Sequence, residues 1–295
     1  MKQAFREVNF RPASLDLIRQ CNEIVERYQR QHLRLTLRQL YYQLVSRNVI
    51  RNEEKAYKSL GGLVSDARLS GLLDWNAIED RVRVPRLPTE FDDLDELAKA
   101  ALASWRLPRW KSQENYVELW VEKDALSGVL RPLASEFHLT MMVNRGYSSQ
   151  SAMFEAGSRF RERSDKNCFL LYLGDHDPSG EDMVRDVRDR LEMFGADVTV
   201  EKIALTMEQV EEHDPPPNPA KMRDSRAPGY VERFGNESWE VDALPPDTLQ
   251  DLIRSRVEDL VDPDAWEIVR AREKEMAKAF AKAVEKVNAK FEDDK

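Results

Sequence analysis

No stretch of this 295-residue chain holds the roughly 18 uninterrupted apolar residues that a membrane-spanning helix needs. No charged-then-apolar leader opens it either, so a cytoplasmic protein without a membrane partner is expected. Cysteine is scarce: Cys21 and Cys168 are the two, which excludes a disulfide-framed secreted scaffold and fits a reducing interior. Cys168 opens an apolar run, where a buried and inert thiol is expected. The four histidines and two cysteines nowhere take zinc-ligand spacing. No internal repeat is found.

An excess of basic residues is also lacking. The net charge is −9, which at first argues against a nucleic-acid partner. Its distribution points the other way. Residues 1–88 carry 16 Lys+Arg against 10 Asp+Glu, a net of +6, and the remainder carries 29 against 44, a net of −15. A basic segment joined to an acidic one suits a DNA-binding module beside a metal-binding one, although an Arg-rich helical domain with a solvated face would look the same.

Chemistry-bearing residues concentrate between residues 117 and 182. Residues 117–121 (VELWV) form a short apolar run ending in Glu122, and residues 169–173 (FLLYL) form another, leading through Gly174 to Asp175, His176 and Asp177. Each is followed by a helical pattern, so both read as βα units of a parallel sheet, with residues 198–205 as a further strand. Ligands gather at the carboxyl ends of such strands, where Glu122, Asp175 and Asp177 fall. Residues two apart in extended chain point the same way, and three carboxylates at one sheet edge suit Mg²⁺, a hard ion that takes oxygen ligands. The plainer reading of Asp177-Pro178 is a helix start, Asp as N-cap and Pro at the first helical position.

The basic half reads as helical. Residues 14–30 form an amphipathic helix, and Thr36 with Gln39 forms a capping box opening a second helix. On that helix Leu37, Leu40, Tyr41 and Leu44 share one face, which places Tyr41 in the core. Tyr42 falls off the stripe, one turn after Arg38, and is expected to be an exposed phenol beside a guanidinium. That arrangement suits a nucleophile as well as a surface aromatic. A third helix holds Tyr57, Leu60, Val64 and Ala67 inward, with Lys55, Lys58 and Arg68 projecting outward. Gly61-Gly62 within it is either a break or a close approach. Residues 81–86 alternate, with Arg81 and Arg83 on one face of a short strand. Helix, helix, helix, basic strand is the order of a winged helix, in which one helix enters the major groove.

The expected organisation is α/β: a winged-helix DNA-binding domain at residues 1–95, a parallel-sheet metal-binding domain at 96–250 and a helical extension at 251–295. Residues 85–90 read as a linker, residues 220–236 carry no assignable pattern, and the final apolar stripe is expected to pack on the body or on a second copy.

Taken together, the motifs resemble a known family. A strand-end Glu122 followed by Asp175-x-Asp177-Pro178-x-Gly180 resembles the Toprim domain. The wording of residues 121–126 (VEKDAL) is similar to the A subunit of topoisomerase VI and its meiotic double-strand-break relatives. Asn144, Arg145, Gly146 and Tyr147 resemble the Gly-containing motif between the two, residues 239–244 (WEVDAL) resemble the terminal Toprim strand, and Arg38-x-x-Tyr41-Tyr42 has the spacing of the family's Arg-x-x-Tyr-Tyr. The resemblance covers roughly residues 33–245. In length the chain is most similar to the compact stand-alone homologues called mini-A proteins, with no ATPase subunit as part of it.

The resemblance implies Tyr42 as a nucleophile toward DNA with Arg38 as its helper, and Glu122 as acid/base or metal ligand. Asp175 and Asp177 would hold Mg²⁺. It implies double-stranded DNA as substrate and a homodimer in which the Tyr of one subunit meets the metal site of the other. Lys55, Lys58, Arg68, Arg81, Arg83 and Arg145 are the expected DNA contacts, and a nucleoid-associated protein is expected. Two alternatives stand beside it: a hydrolytic nuclease that keeps the metal site without the tyrosine, and a DNA-binding protein that does not cut.

Overall fold

The computed structural model describes residues 1–79, 89–220, 222 and 224–293. The first helices are α1 (Pro12–Gln29), α2 (Leu37–Ser46) and α3 (Glu54–Leu69). The expected capping box opens α2: Gln39 N–H donates to Thr36 Oγ1, and the Gln39 side chain accepts from the Thr36 amide at 2.9 Å. Apolar stripes of the three helices, with Leu33, Leu35, Leu73, Ala77 and Ile78, enclose one hydrophobic core. The glycine pair does not break α3. A Cβ on Gly61 would lie 3.3 Å from Leu37 Cδ2, so Gly61 marks the close approach of α3 to α2. The strand expected at 81–86, with Arg81 and Arg83, lies outside the described residues.

After α4 (Leu94–Ser104) comes a four-stranded sheet, parallel throughout and ordered β2-β1-β3-β4: β1 is Asn115–Val121, β2 Thr140–Val143, β3 Asn167–Leu173 and β4 Thr199–Ala204. Helices α5 (Asp124–Glu136), α6 (Gln150–Arg161) and α7 (Pro178–Met193) are the crossovers. The two central strands are nearly continuous apolar runs because both are buried along their length, the pattern of an enclosed parallel sheet. A parallel-sheet α/β fold is thus present.

Beyond β4 lie α8 (Met207–His213), a two-residue ribbon of β5 (Asn218–Pro219) with β6 (Glu237–Ser238), α9 (Ala227–Phe234), α10 (Pro246–Leu260) and α11 (Pro263–Asp293). Residues 227–234, with no assignable sequence pattern, are therefore helical; Tyr230 and Phe234 of α9 pack edge-on against the His176 ring. The aromatic and basic residues at 105–111 receive α11. The Trp110 ring meets Trp266 at 5.6 Å, and Arg109 pairs with Glu273 at 3.0 Å.

One expected strand is not there. Residues 239–244 make a single antiparallel bridge, Trp239 to His176, and then a 3-10 turn at Val241–Ala243. The physical reason is that this segment serves two cores. Val241 and Leu244 are buried with the sheet, while Ala243 is buried with α1–α3. The turn carries successive side chains into both cores. Among the described residues no helix is long and apolar enough to cross a membrane.

Candidate active site

The register of β1 and β3 sets the site. Val121 pairs with Leu173, so both central strands end at one level, and Glu122 N–H donates to the Leu173 carbonyl at 2.8 Å. The chain then places a carboxylate on each side of the seam. Two glycines permit it. A Cβ on Gly174 would lie 2.6 Å from Tyr172 Cε1 and 2.9 Å from Glu122 Oε2, and one on Gly180 would lie 2.2 Å from the Asp175 carbonyl oxygen. A larger residue would displace the Tyr172 ring or the Glu122 carboxylate at Gly174, and the Asp175 backbone at Gly180.

Glu122 Oε2 accepts from the Asp175 amide at 2.9 Å, and Asp175 Oδ1 accepts from the Val241 amide at 2.9 Å and from Lys123 Nζ, also at 2.9 Å. Asp177 caps α7: its Oδ1 accepts from Gly180 N–H and Ser179 Oγ, both at 2.7 Å. The plainer reading of Asp177 is therefore present, and one of its oxygens is committed to it. Burial raises the Glu122 carboxyl, and the charge of Asp177 pushes the same way. Burial also pushes Asp175 up to about 7; Lys123 pulls against that, and Glu122 and Asp242 add to it. The three carboxylates feel one another, as their strand-end positions imply. Among the described residues no three His, Cys, Asp or Glu side chains stand as an assembled metal cage. Glu122, Asp175 and Asp177 are hard oxygen donors, the ligand type that a divalent cation takes.

A second tier sits on the first, and Lys123 joins them. Its Nζ reaches Asp175 Oδ1, Glu240 Oε2 (3.0 Å) and Asp242 Oδ1 (3.0 Å). Burial opposes the ammonium charge, yet those carboxylates raise its pKa above the ordinary value. The magnitudes account for the sign: even at an effective dielectric of about 20, opposite charges about 4 Å apart attract by about 4 kcal/mol, and three such partners outweigh the desolvation. Glu240 and Asp242 are two apart on the turn and reach α2 as well. Arg38 Nη2 donates to Glu240 Oε2, and Arg38 Nε faces Asp242 Oδ2 at 3.4 Å. The Tyr42 hydroxyl donates to Glu240 Oε2 at 2.9 Å. A phenol, two fixed cations and a set of buried carboxylates thus form one continuous network.

Comparison of the chain with protein-family models, with curated proteins and with solved structures finds no match. The network is read from its own chemistry.

One expectation is overturned. Tyr42 is not an exposed phenol; it is 3% exposed. Residues 39–45 of α2 are buried throughout, Tyr42 packs with the core of α1–α3, and the Glu240–Asp242 turn receives its hydroxyl. Burial first, and then the charge of Glu240, raise the hydroxyl above the ordinary tyrosine range, with Arg38 opposing. Tyr41 is a core residue as expected, its hydroxyl bonded to Asn52 Oδ1 at 3.0 Å.

The expected DNA contacts fare unevenly. Lys55 and Lys58 are exposed on α3, Lys58 pairing with Glu54 at 2.7 Å. Arg68 does not project outward. It lies over the Trp75 ring at 4.7 Å and donates to the Trp75 carbonyl at 2.7 Å, because the turn after α3 folds that indole back onto it. Arg145 is exposed on the turn after β2 and pairs with Asp124 at 3.3 Å. Arg81 and Arg83 lie outside the described residues. Sequence reasoning assigns no role to Lys123, Glu240 or Asp242. The signal is nonetheless present: Glu240-x-Asp242 repeats the acid-x-acid spacing of Asp175-x-Asp177, and Lys123 adjoins Glu122.

Proposed function

We propose that this chain cleaves double-stranded DNA by Mg²⁺-dependent tyrosine transesterification, in the manner of a topoisomerase VI A subunit. One observation carries the reading: the Tyr42 hydroxyl and Arg38 reach, through Glu240 and Lys123, the strand-end carboxylates Asp175 and Glu122. Tyr42 oxygen would form a bond to phosphorus as the bond from phosphorus to the 3′ oxygen breaks. In the free protein Glu240 holds the phenol; its carboxyl, lowered to about 2 by Lys123 and Arg38 despite burial, is too weak a base to take the phenolic proton, which would leave to water as the bond to phosphorus forms. Glu122, with its carboxyl raised by burial, would return a proton to the leaving 3′ oxygen. Asp175 and Asp177 would hold Mg²⁺, which when bound supplies positive charge against the phosphate. Arg38 orients the phenol and adds fixed positive charge beside it.

A second reading draws on one observation, the burial of Tyr42. With the phenol held, hydrolysis by the carboxylate site alone would leave free DNA ends. Incubation with supercoiled plasmid and Mg²⁺ separates the two. Protein-linked ends, lost in Tyr42→Phe, are expected; free ends made equally by both proteins would establish the hydrolytic reading.

A further inference from the structure

We propose that Arg38, Tyr42 and Lys123 form a cradle for one non-bridging phosphodiester oxygen, and that Glu240 fills this cradle when no nucleic acid is bound. The inference rests on DNA being the substrate, and it assigns to Lys123 and Glu240 roles beyond the cleavage chemistry. A single atom carries it. Glu240 Oε2 accepts from Arg38 Nη2, from the Tyr42 hydroxyl at 2.9 Å and from Lys123 Nζ at 3.0 Å. Two cations and a hydroxyl converging on one anionic oxygen form the donor set that a phosphoryl oxygen requires.

The exchange conserves charge, since a phosphodiester and a carboxylate each carry one negative charge. The cradle also survives the departure of Glu240. Lys123 keeps Asp175 Oδ1 at 2.9 Å and Asp242 Oδ1 at 3.0 Å, and Arg38 keeps Asp242 Oδ2 at 3.4 Å. Asp242 is fully buried and holds both cations from behind, whereas the Glu240 side chain is 22% exposed. A crevice of about 370 Å³ opens beside it, lined by Arg38, Tyr42, Asn52, Asn218 and Glu240, with Glu53 and Glu54 also on its wall. Those two acids oppose a loose anion. A phosphate carried on a duplex, already held elsewhere, is the ligand that fits.

The test is duplex binding by the full chain in EDTA, where metal-dependent cutting does not interfere. Wild type, Glu240→Ala, Glu240→Gln and Glu53→Ala are compared on a short duplex across a salt series. Glu53→Ala removes the same charge from the same crevice without touching the cradle. Glu240→Ala and Glu240→Gln are expected to bind about tenfold tighter than wild type, the effect of one charge-assisted contact. Their salt slope should equal that of wild type, since the same phosphate occupies the cradle in each complex. Adding Lys123→Ala to Glu240→Ala should reverse the gain in affinity and lower the slope by about one, and Glu53→Ala should change neither. Thermal melts of each variant confirm folding, and Glu240→Gln, nearly isosteric, keeps the test valid if Glu240→Ala is unstable. Equal responses of the Glu240 and Glu53 variants would overturn the cradle while leaving cleavage by Tyr42 untouched. Conversely, absence of a covalent adduct at Tyr42 would remove the transesterase reading and leave the cradle standing.

Discussion

Gly180 is the third residue of α7. Helix propensity alone would have Gly180→Ala stabilise the protein by about 0.5–1 kcal/mol. The structure reverses that sign. The new Cβ would lie 2.2 Å from the Asp175 carbonyl oxygen and 3.0 Å from its carbon. That is roughly 1 Å inside the closest ordinary carbon–oxygen approach. The obstacle is backbone and cannot rotate aside. It is also pinned, because Lys202 Nζ donates to the same carbonyl at 2.8 Å and Val241 N–H holds the Asp175 carboxylate at 2.9 Å. Overpacking of this kind costs about 1–3 kcal/mol, and a contact this short belongs at the upper end. The net effect is destabilisation by about 2 kcal/mol, or a fall in Tm of about 5 °C. Gly62→Ala is the control. It lies in α3 with nothing within 4 Å of its Cβ position, so there propensity acts alone and Tm should rise by about 2 °C. Thermal unfolding of the two variants beside wild type is the assay. A Gly180→Ala protein at or above the wild-type Tm would refute the reasoning, and with it the claim that Gly180 fixes Asp175.

Three further outcomes are expected. Asp242→Asn should destabilise the fold by about 3 kcal/mol in denaturant titration, since it strips a fully buried partner from Lys123 and Arg38; less than 1 kcal/mol would mean the network is not what joins the helical half to the sheet. Glu118→Gln should cost about 2–3 kcal/mol, because the buried carboxylate accepts from the Trp120 indole and Tyr116 hydroxyl and takes two bonds from Arg159 at 3.0 and 2.9 Å. Glu240 is lowered in the fold from an ordinary 4.5 to about 2, so its contribution to stability is complete above about pH 4.5 and is lost as the pH falls toward 2. Denaturant titrations across that window should show a steeper loss in wild type than in Glu240→Gln, and parallel curves would contradict the assignment.

Much of the fold is legible in the sequence because local rules and burial agree. The apolar runs before Glu122 and Asp175 are the paired central strands, Thr36 and Gln39 do form a capping box, and Asp177-Pro178 does start a helix. Helical periodicity misplaces Tyr42 because α2 is buried on every side from Gln39 to Val45 and has no solvent face there for the phenol to take. What receives its hydroxyl is Glu240, 198 positions later. The same distance hides the role of residues 239–244, whose alternation imitates a strand. Trp239, Val241 and Leu244 enter the sheet core and Ala243 the core of α1–α3, from a bridge and a 3-10 turn and not from a sheet strand. Arg68 escapes prediction for a related reason, as its partner Trp75 lies in a turn with no periodicity to reveal it.

Tyrosine transesterification requires a covalent bond between Tyr42 oxygen and a DNA phosphorus, and mass spectrometry measures that bond directly. After reaction with duplex DNA and Mg²⁺, nuclease trimming and trypsin, residues 39–47 (QLYYQLVSR) are released between Arg38 and the bond after Arg47. A nucleotide mass is expected on this peptide, with fragmentation placing it on Tyr42, and it should be absent from Tyr42→Phe. DNA cleaved to completion with the peptide unmodified would contradict the transesterase mechanism, and the mass on Tyr41 would contradict its assignment to Tyr42.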